Sequence, residues 1–304
     1  MFSILLYKNN MKNSTKSIKA VLQPPHYHMV GDGFRVHNFF PSLPEVGMTG
    51  MSPFFLLDYN SKWDVPPSDR QRGVGVHPHR GFETVSIAYH GKIAHHDSAG
   101  NGGVIGEGDV QWMTAGAGVL HKEYHEKEFS KKGGLFQMVQ LWVNLPSKYK
   151  MTPAKYQAIE NKDMGKYFPE GKKSRVDIIA GEYMGVKGPA FTFTPMSMFN
   201  AYLAENAKME FSFPETESTG LLIIEGDVKI NDTKTATEDS FVYFDRKGKI
   251  IYIEALKKSI VLILSGDPIN EPIASYGPFV MNTQDEIKEA YEDYYNGKFG
   301  YLED

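Results

Sequence analysis

No cysteine occurs anywhere in the chain. Disulfides and thiolate metal sites are therefore excluded, and any metal must be held by nitrogen and oxygen donors. A surplus of positive charge is also missing, because 33 lysines and arginines face 37 aspartates and glutamates for a formal net charge of −4. That balance supplies no broad positive field for a phosphate backbone, so direct nucleic-acid binding is not expected. Long apolar runs are absent too. The opening M-F-S-I-L-L is too short to span a bilayer, follows no basic segment and precedes no small-residue cleavage pattern. A cytoplasmic chain without membrane contact is expected, with a loose arm over residues 1–18 in which Met11 is an alternative start.

What the chain does contain is turn formers and large side chains. With 29 Gly, 17 Pro and 13% aromatic residues, it reads as globular and built of many short strands. Its 304 residues suit two domains of ordinary size. Residues 84–89, 108–113 and 137–144 are β-prone runs between Gly, Pro and Asn clusters, which predicts an all-β sandwich or barrel. We expect a metal-binding domain over residues 19–150 and a linker over 151–175 containing Pro153 and Pro169. A second barrel over 176–282 and a helix with a tail over 283–304 complete the expected layout.

The second half repeats the first in outline. Residues 84–89 run into a turn at Gly91, and Asp109 later opens V-Q-W-M; residues 221–225 run into Gly226, and Asp239 later opens S-F-V-Y-F. Two copies of one barrel account for this. The end of the chain differs: Thr283 and Glu286 form a capping-box pattern, and Ile287, Ala290, Tyr291 and Tyr294 recur at helical spacing up to Gly297. That stripe is read as the face of one helix packed on a barrel exterior.

Seven of the ten histidines fall between His77 and His125. In V-H-P-H-R-G-F-E, the period-two geometry of a strand points His77 and His79 to one side, and Glu83 shares their parity. In G-V-L-H-K-E, His121 and Glu123 share a face just after a turn permitted by Gly116 and Gly118. Three imidazoles and a carboxylate suit Fe(II), Mn(II), Co(II), Ni(II), Cu(II) or Zn(II) and leave two octahedral positions free. Two same-face pairs on separate strands favour a metal site, whereas the isolated pair His26 and His28 is read as surface chemistry. His90, His95 and His96 are read as hydrogen-bonded or solvated groups beside the Gly91 turn. His125, at the far end of its strand, is at most a supporting residue. Glu83 is the rival for the carboxylate position. We assign coordination to Glu123 and leave orientation or proton transfer to Glu83.

The segments H-P-H-R-G-F-E-T-V (77–85), G-D-V-Q-W-M-T-A-G-A-G-V-L-H-K-E (108–123), Q-L-W-V-N-L (140–145) and G-P-F-V-M-N-T (277–283) resemble the pirin family of the cupin superfamily. With the two-barrel layout, the resemblance covers nearly the whole chain after about residue 20. It implies two cupin (jelly-roll-like β-barrel) domains with one metal, usually iron, in the N-terminal barrel, held by His77, His79, His121 and Glu123. The longer arm and the H-Y-H segment depart from the family pattern. Shifting by the repeat offsets lands the four ligand positions on Ser212, Pro214, Ile251 and Ile253, so no metal is expected in the second barrel.

The resemblance also implies an activity: flavonol cleavage of the quercetin 2,3-dioxygenase type, with ring opening and loss of carbon monoxide. Glu123, or failing that Glu83, then accepts the substrate hydroxyl proton. An apolar mouth including Phe82, Trp112 and Met113 is expected to take the flat aromatic. The alternative is a regulatory metalloprotein whose metal state alters its affinity for a protein partner, such as a transcription-related protein. A chiefly structural metal is disfavoured by the open coordination positions.

Overall fold

The computed structural model describes residues 15–171 and 173–303. Most of the expected loose arm, with the alternative start at Met11, therefore lies outside the described residues. The chain forms two compact units, one from residues 25–163 with 269–304 and the other from the segment ending at Pro24 with Met164–Pro268. Each unit contains one seven-stranded and one four-stranded antiparallel sheet. The expected all-β architecture of two cupin domains with a short C-terminal helix is what the structure contains. No helix among the described residues is long and apolar enough to cross a membrane.

In the histidine-rich unit the larger sheet runs Lys155–Ile159, Val110–Thr114, Phe82–His90, Gly134–Asn144, Phe54–Val65, Phe34–Phe40, His28–Val30. The smaller sheet runs Gly73–His79, Val119–His125, Ile93–Asp97, Gly102–Ile105. Burial alternates along Val119–His125, with Val119, His121, Glu123 and His125 buried and the residues between them only partly so. This is the signature of a strand with one face turned inward. Phe82–His90 is instead buried on both faces, so its polar Glu83, Thr84 and Ser86 lie inside together with its apolar residues.

The second unit repeats the pattern. Its small sheet pairs Lys208–Ser212 with Ile250–Ala255, as Gly73–His79 pairs with Val119–His125. Ile251 and Ile253, at the positions corresponding to His121 and Glu123, are buried in an apolar cluster with Phe211, Val228 and Ile263. Aliphatic packing fills the place that polar side chains occupy in the first unit.

The boundaries differ from the expected ones in three places. Ile18–Leu22, expected to straddle the arm and the first domain, pairs with Phe241–Phe244 of the other unit. Lys16 there is buried, so the described end of the arm is not loose. The expected linker carries two edge strands: Lys155–Ile159 pairs with Val110–Thr114, and Gly165–Tyr167 pairs with Arg175–Ala180. The segment from Ile269 onward returns to the histidine-rich unit. Edge strands bond to whichever sheet margin lies open, and linear composition does not reveal that margin.

The helix Gln284–Tyr295 begins with the complete capping box of Thr283 and Glu286. Ile287 and Ala290 are buried with Phe279 and Phe299, and Leu120, Tyr291 and Tyr294 pack against them. The helix thus covers the outer side of the strand whose inner side carries His121 and Glu123.

Candidate metal centre

His77 and His121 are direct cross-strand partners, and His79 follows two residues after His77. Their ring centroids are 4.2 Å apart for His77 and His121, 4.7 Å for His79 and His121, and 4.8 Å for His77 and His79. One nitrogen from each lies within 4.8 Å of the others, close enough to hold one ion. Each ring is oriented through its Nδ1. His77 Nδ1 lies 2.8 Å from the Gly75 carbonyl oxygen, and His79 Nδ1 lies 3.2 Å from that of Pro278. His121 Nδ1 lies 3.4 Å from His95 Nδ1, and His121 Nε2 is buried with no hydrogen-bond partner. Rings each tied at Nδ1, with one nitrogen of each brought within 4.8 Å of the others, suit a single divalent metal. Burial lowers the basicity of all three, reinforced at His79 and His121 by the charge of His77. That favours the neutral imidazole, the form that ligates.

Glu123 lines the same cavity, but its oxygens already accept three hydrogen bonds. Ser86 Oγ (2.9 Å) and Gln111 Nε2 (2.5 Å) donate to Oε1, and Gln140 Nε2 donates to Oε2 at 2.5 Å. These donors lie in one cross-strand row, with Gln140 opposite Ser86 and Ser86 opposite Gln111. The row continues in the other direction to Asp58, opposite Gln140, and Asn38, opposite Asp58. Five polar residues thus cross the inner face of the larger sheet.

Glu83 does not join this centre. The chain leaves the smaller sheet at His79, turns through Arg80 and Gly81 and enters the larger sheet at Phe82, so parity counted along the sequence no longer applies. Gly81 has φ +88°, and a Cβ there would lie 2.0 Å from the Val280 carbonyl oxygen. Ser86 faces Glu123, so Glu83, three residues earlier on the same strand, faces the opposite side. There it accepts a 2.7 Å bond from Thr114 Oγ1, and burial pushes its carboxyl up to about 7.

Other histidines sort by surroundings. His90 meets Glu107 at 3.0 Å, and His96 lies 2.7 Å from the Tyr124 hydroxyl, both as hydrogen-bonded groups. His125 packs among Phe34, Phe129 and Phe136, where burial pushes it down to about 4. His95 was placed with His90 and His96 by sequence, yet it is fully buried against His121 and stacks on Tyr156. Its Nε2 lies 3.4 Å from Asp97 Oδ2. The available signal was the period-two spacing of His95 and Asp97 on one strand.

Beside the triad opens a cavity of about 270 Å³. Phe34, Val36, Val74, Met138 and Trp142 form much of its wall, with Pro278 of the C-terminal segment at one side. The expected lining was different. Phe82 stacks on Trp142 and touches His79 from behind, whereas Met113 packs with Ala115 and Val119. Trp112, two residues from Thr114, shares the sheet face of Glu83.

The C-terminal segment supports the His77–His79 strand at its end. Arg80, buried, donates to Asp293 Oδ2 at 2.8 Å and to the Ala117 carbonyl at 2.6 Å, and lies over the Phe299 ring. Lys150 Nζ donates to the carbonyls of Gly81 and Val280 and to Asn144 Oδ1, at 2.7–2.8 Å.

A two-sheet barrel with three converging imidazoles and an apolar cavity defines a cupin with a candidate mononuclear metal centre. The chain belongs to the pirin family. The Pirin family profile matches residues 33–143, and the profile of the pirin C-terminal cupin domain matches residues 198–300. Human pirin is 35% identical over 89% of this chain and 90% of its own length. A pirin-like protein of Solanum lycopersicum is 38% identical over 89% of each chain. Among solved structures, a quercetin 2,3-dioxygenase from Acinetobacter baumannii superposes with a TM-score of 0.89 at 49% identity, covering 95% of this chain and all of that one.

Proposed function

We propose that this pirin-family protein is an iron-dependent dioxygenase acting on flavonols, with quercetin as the test substrate. The observation that carries the reading is the junction of the three imidazoles with a cavity that is mostly apolar. The name of the Acinetobacter relative points the same way.

His77, His79 and His121 would hold the metal, and Glu123, which lines the same cavity, would complete the ligand set by giving up one of its three hydrogen bonds. Iron, when bound, supplies a Lewis-acidic and redox-active centre for a flavonolate and dioxygen. Glu123, held in place by the donors Ser86, Gln111 and Gln140, accepts the 3-hydroxyl proton of the substrate. Trp142, Met138 and Phe34 enclose the flat rings and exclude bulk water. In the overall reaction both bonds from C3 to its ring neighbours break, C3 leaves with its own oxygen as carbon monoxide, and the two atoms of dioxygen end on C2 and C4.

Protein loaded anaerobically with Fe(II) is expected to consume dioxygen and bleach quercetin in equal amounts, and His77→Ala to abolish both. Turnover retained in that variant overturns the site. If the wild type cleaves no flavonol while metal-loaded protein alone retains a protein partner, the regulatory reading replaces the enzymatic one.

A further inference from the structure

Asp58 is a cavity carboxylate that the proposed chemistry leaves unused. It lies on Phe54–Val65 with only 8% of its surface exposed, and it lines the cavity shared with His77, His79 and Glu123. Asn38 Nδ2 donates to its Oδ1 at 2.7 Å. No second donor among the described residues reaches it, and its Oδ2 takes part in no protein hydrogen bond.

The other polar groups around the cavity are already engaged. Glu123 is surrounded by three donors, and the outer nitrogens of His77 and His79 are tied to backbone carbonyls. The cavity that Asp58 lines has Val30, Phe34, Val36 and Met138 among its apolar walls, and His28 is close enough to act on Asp58 through its charge. A carboxylate removed from water keeps a demand for more than one hydrogen bond. Asp58 stands directly across from Gln140, whose amide holds Glu123, so it lies about one strand spacing, roughly 5 Å, further along the sheet.

We infer that Asp58 is a substrate-orienting residue, whose free oxygen receives a hydrogen bond from a phenolic hydroxyl of a flat ligand lying between it and the metal centre. The choice of a flavonol as ligand rests on the function proposed above; the recognition of a distal hydroxyl does not require turnover. A polyhydroxylated aromatic then binds in one orientation, with its metal-directed oxygen at Glu123 and a second hydroxyl at Asp58. An aromatic lacking the second hydroxyl leaves Asp58 buried and under-solvated and is discriminated against.

The test uses the full chain loaded with Zn(II), in which redox turnover is silent, and follows ligand binding by quenching of tryptophan fluorescence. The probes are quercetin and 3-hydroxyflavone, which share the 3-hydroxyl and differ in the distal hydroxyls. Asp58→Asn keeps the acceptor for Asn38 and presents an amide donor in place of the free oxygen. The wild type is expected to bind quercetin on the order of tenfold more tightly than 3-hydroxyflavone, and Asp58→Asn to remove that preference while leaving 3-hydroxyflavone binding and zinc affinity unchanged. Equal loss for both ligands assigns Asp58 a purely structural role through Asn38 and overturns the inference. So does an unchanged preference, or a wild type that binds neither probe. A preference lost in Asp58→Asn, in a protein that with Fe(II) cleaves no flavonol, upholds the subsite and overturns the dioxygenase reading alone.

Discussion

His121 Nδ1 and His95 Nδ1 lie 3.4 Å apart, and this pair leaves the buried His121 Nε2 as the nitrogen free to ligate. For His121 to offer the Nε2 lone pair to a metal, its proton must reside on Nδ1. His95 Nδ1 then accepts, which places the His95 proton on Nε2, toward Asp97 Oδ2 at 3.4 Å. One consistent set of tautomers runs from Asp97 to the metal position.

Replacing His95 tests that chain. His95→Phe keeps a ring against Tyr156 but removes the acceptor, and metal affinity is expected to fall on the order of tenfold or more. His95→Asn retains an acceptor near the Nδ1 position and should recover much of the loss. Competition with a chromophoric chelator measures both, and unchanged affinity in His95→Phe removes His95 from the centre.

The buried Arg80–Asp293 pair ties the C-terminal helix to the residue after His79. Arg80→Met leaves Asp293 with only Lys298, at 2.6 Å, as a cationic partner. A stability loss of about 3 kcal/mol is expected, read as a lowered urea midpoint. Metal affinity should fall with it, because Arg80 O also accepts from Val280 N, beside the Pro278 carbonyl that orients His79. A variant with wild-type midpoint and affinity would falsify this coupling.

Glu83 makes stability depend on pH in a stated direction. Its carboxyl is raised by burial from an ordinary 4.5 to about 7, so between those values the folded chain binds more protons than the unfolded chain. Stability contributed by this group is present below about 4.5 and is lost as pH rises toward 7. Relative to Glu83→Gln, metal-free wild type should lose on the order of 3 kcal/mol between pH 4.5 and 8, measured by denaturant unfolding. A difference that is flat with pH, or that grows in favour of the wild type, contradicts the assignment.

Metal content should approach one ion per chain, because Ile251 and Ile253 occupy the counterpart of the ligand strand in the second barrel. Elemental analysis of protein purified without a metal-affinity step measures it. His79→Ala should bring the content close to zero, and a wild-type value near two would contradict a single centre.

Parts of this site were legible before any tertiary structure. Period-two spacing placed His77 beside His79 and His121 beside Glu123, because alternation within one strand is a local property of the backbone. The Thr283–Glu286 capping box and the Ile287, Ala290, Tyr291, Tyr294 stripe located the C-terminal helix for the same reason. Glu83 failed under the same rule, since the turn at Arg80 and Gly81 moves the chain from one sheet to the other and restarts the parity.

The two-barrel class, the donor chemistry left by the absence of cysteine and the strand faces that carry the imidazoles all follow from composition and local periodicity. What surrounds the imidazoles does not. Asp58, Ser86, Gln111 and Gln140 come from four separate strands and meet through sheet register, a relation between strands that no single strand encodes. Pro278 reaches His79 from 199 residues away because the C-terminal segment returns to the first unit. Contacts of that range depend on which sheet margin a returning segment finds open.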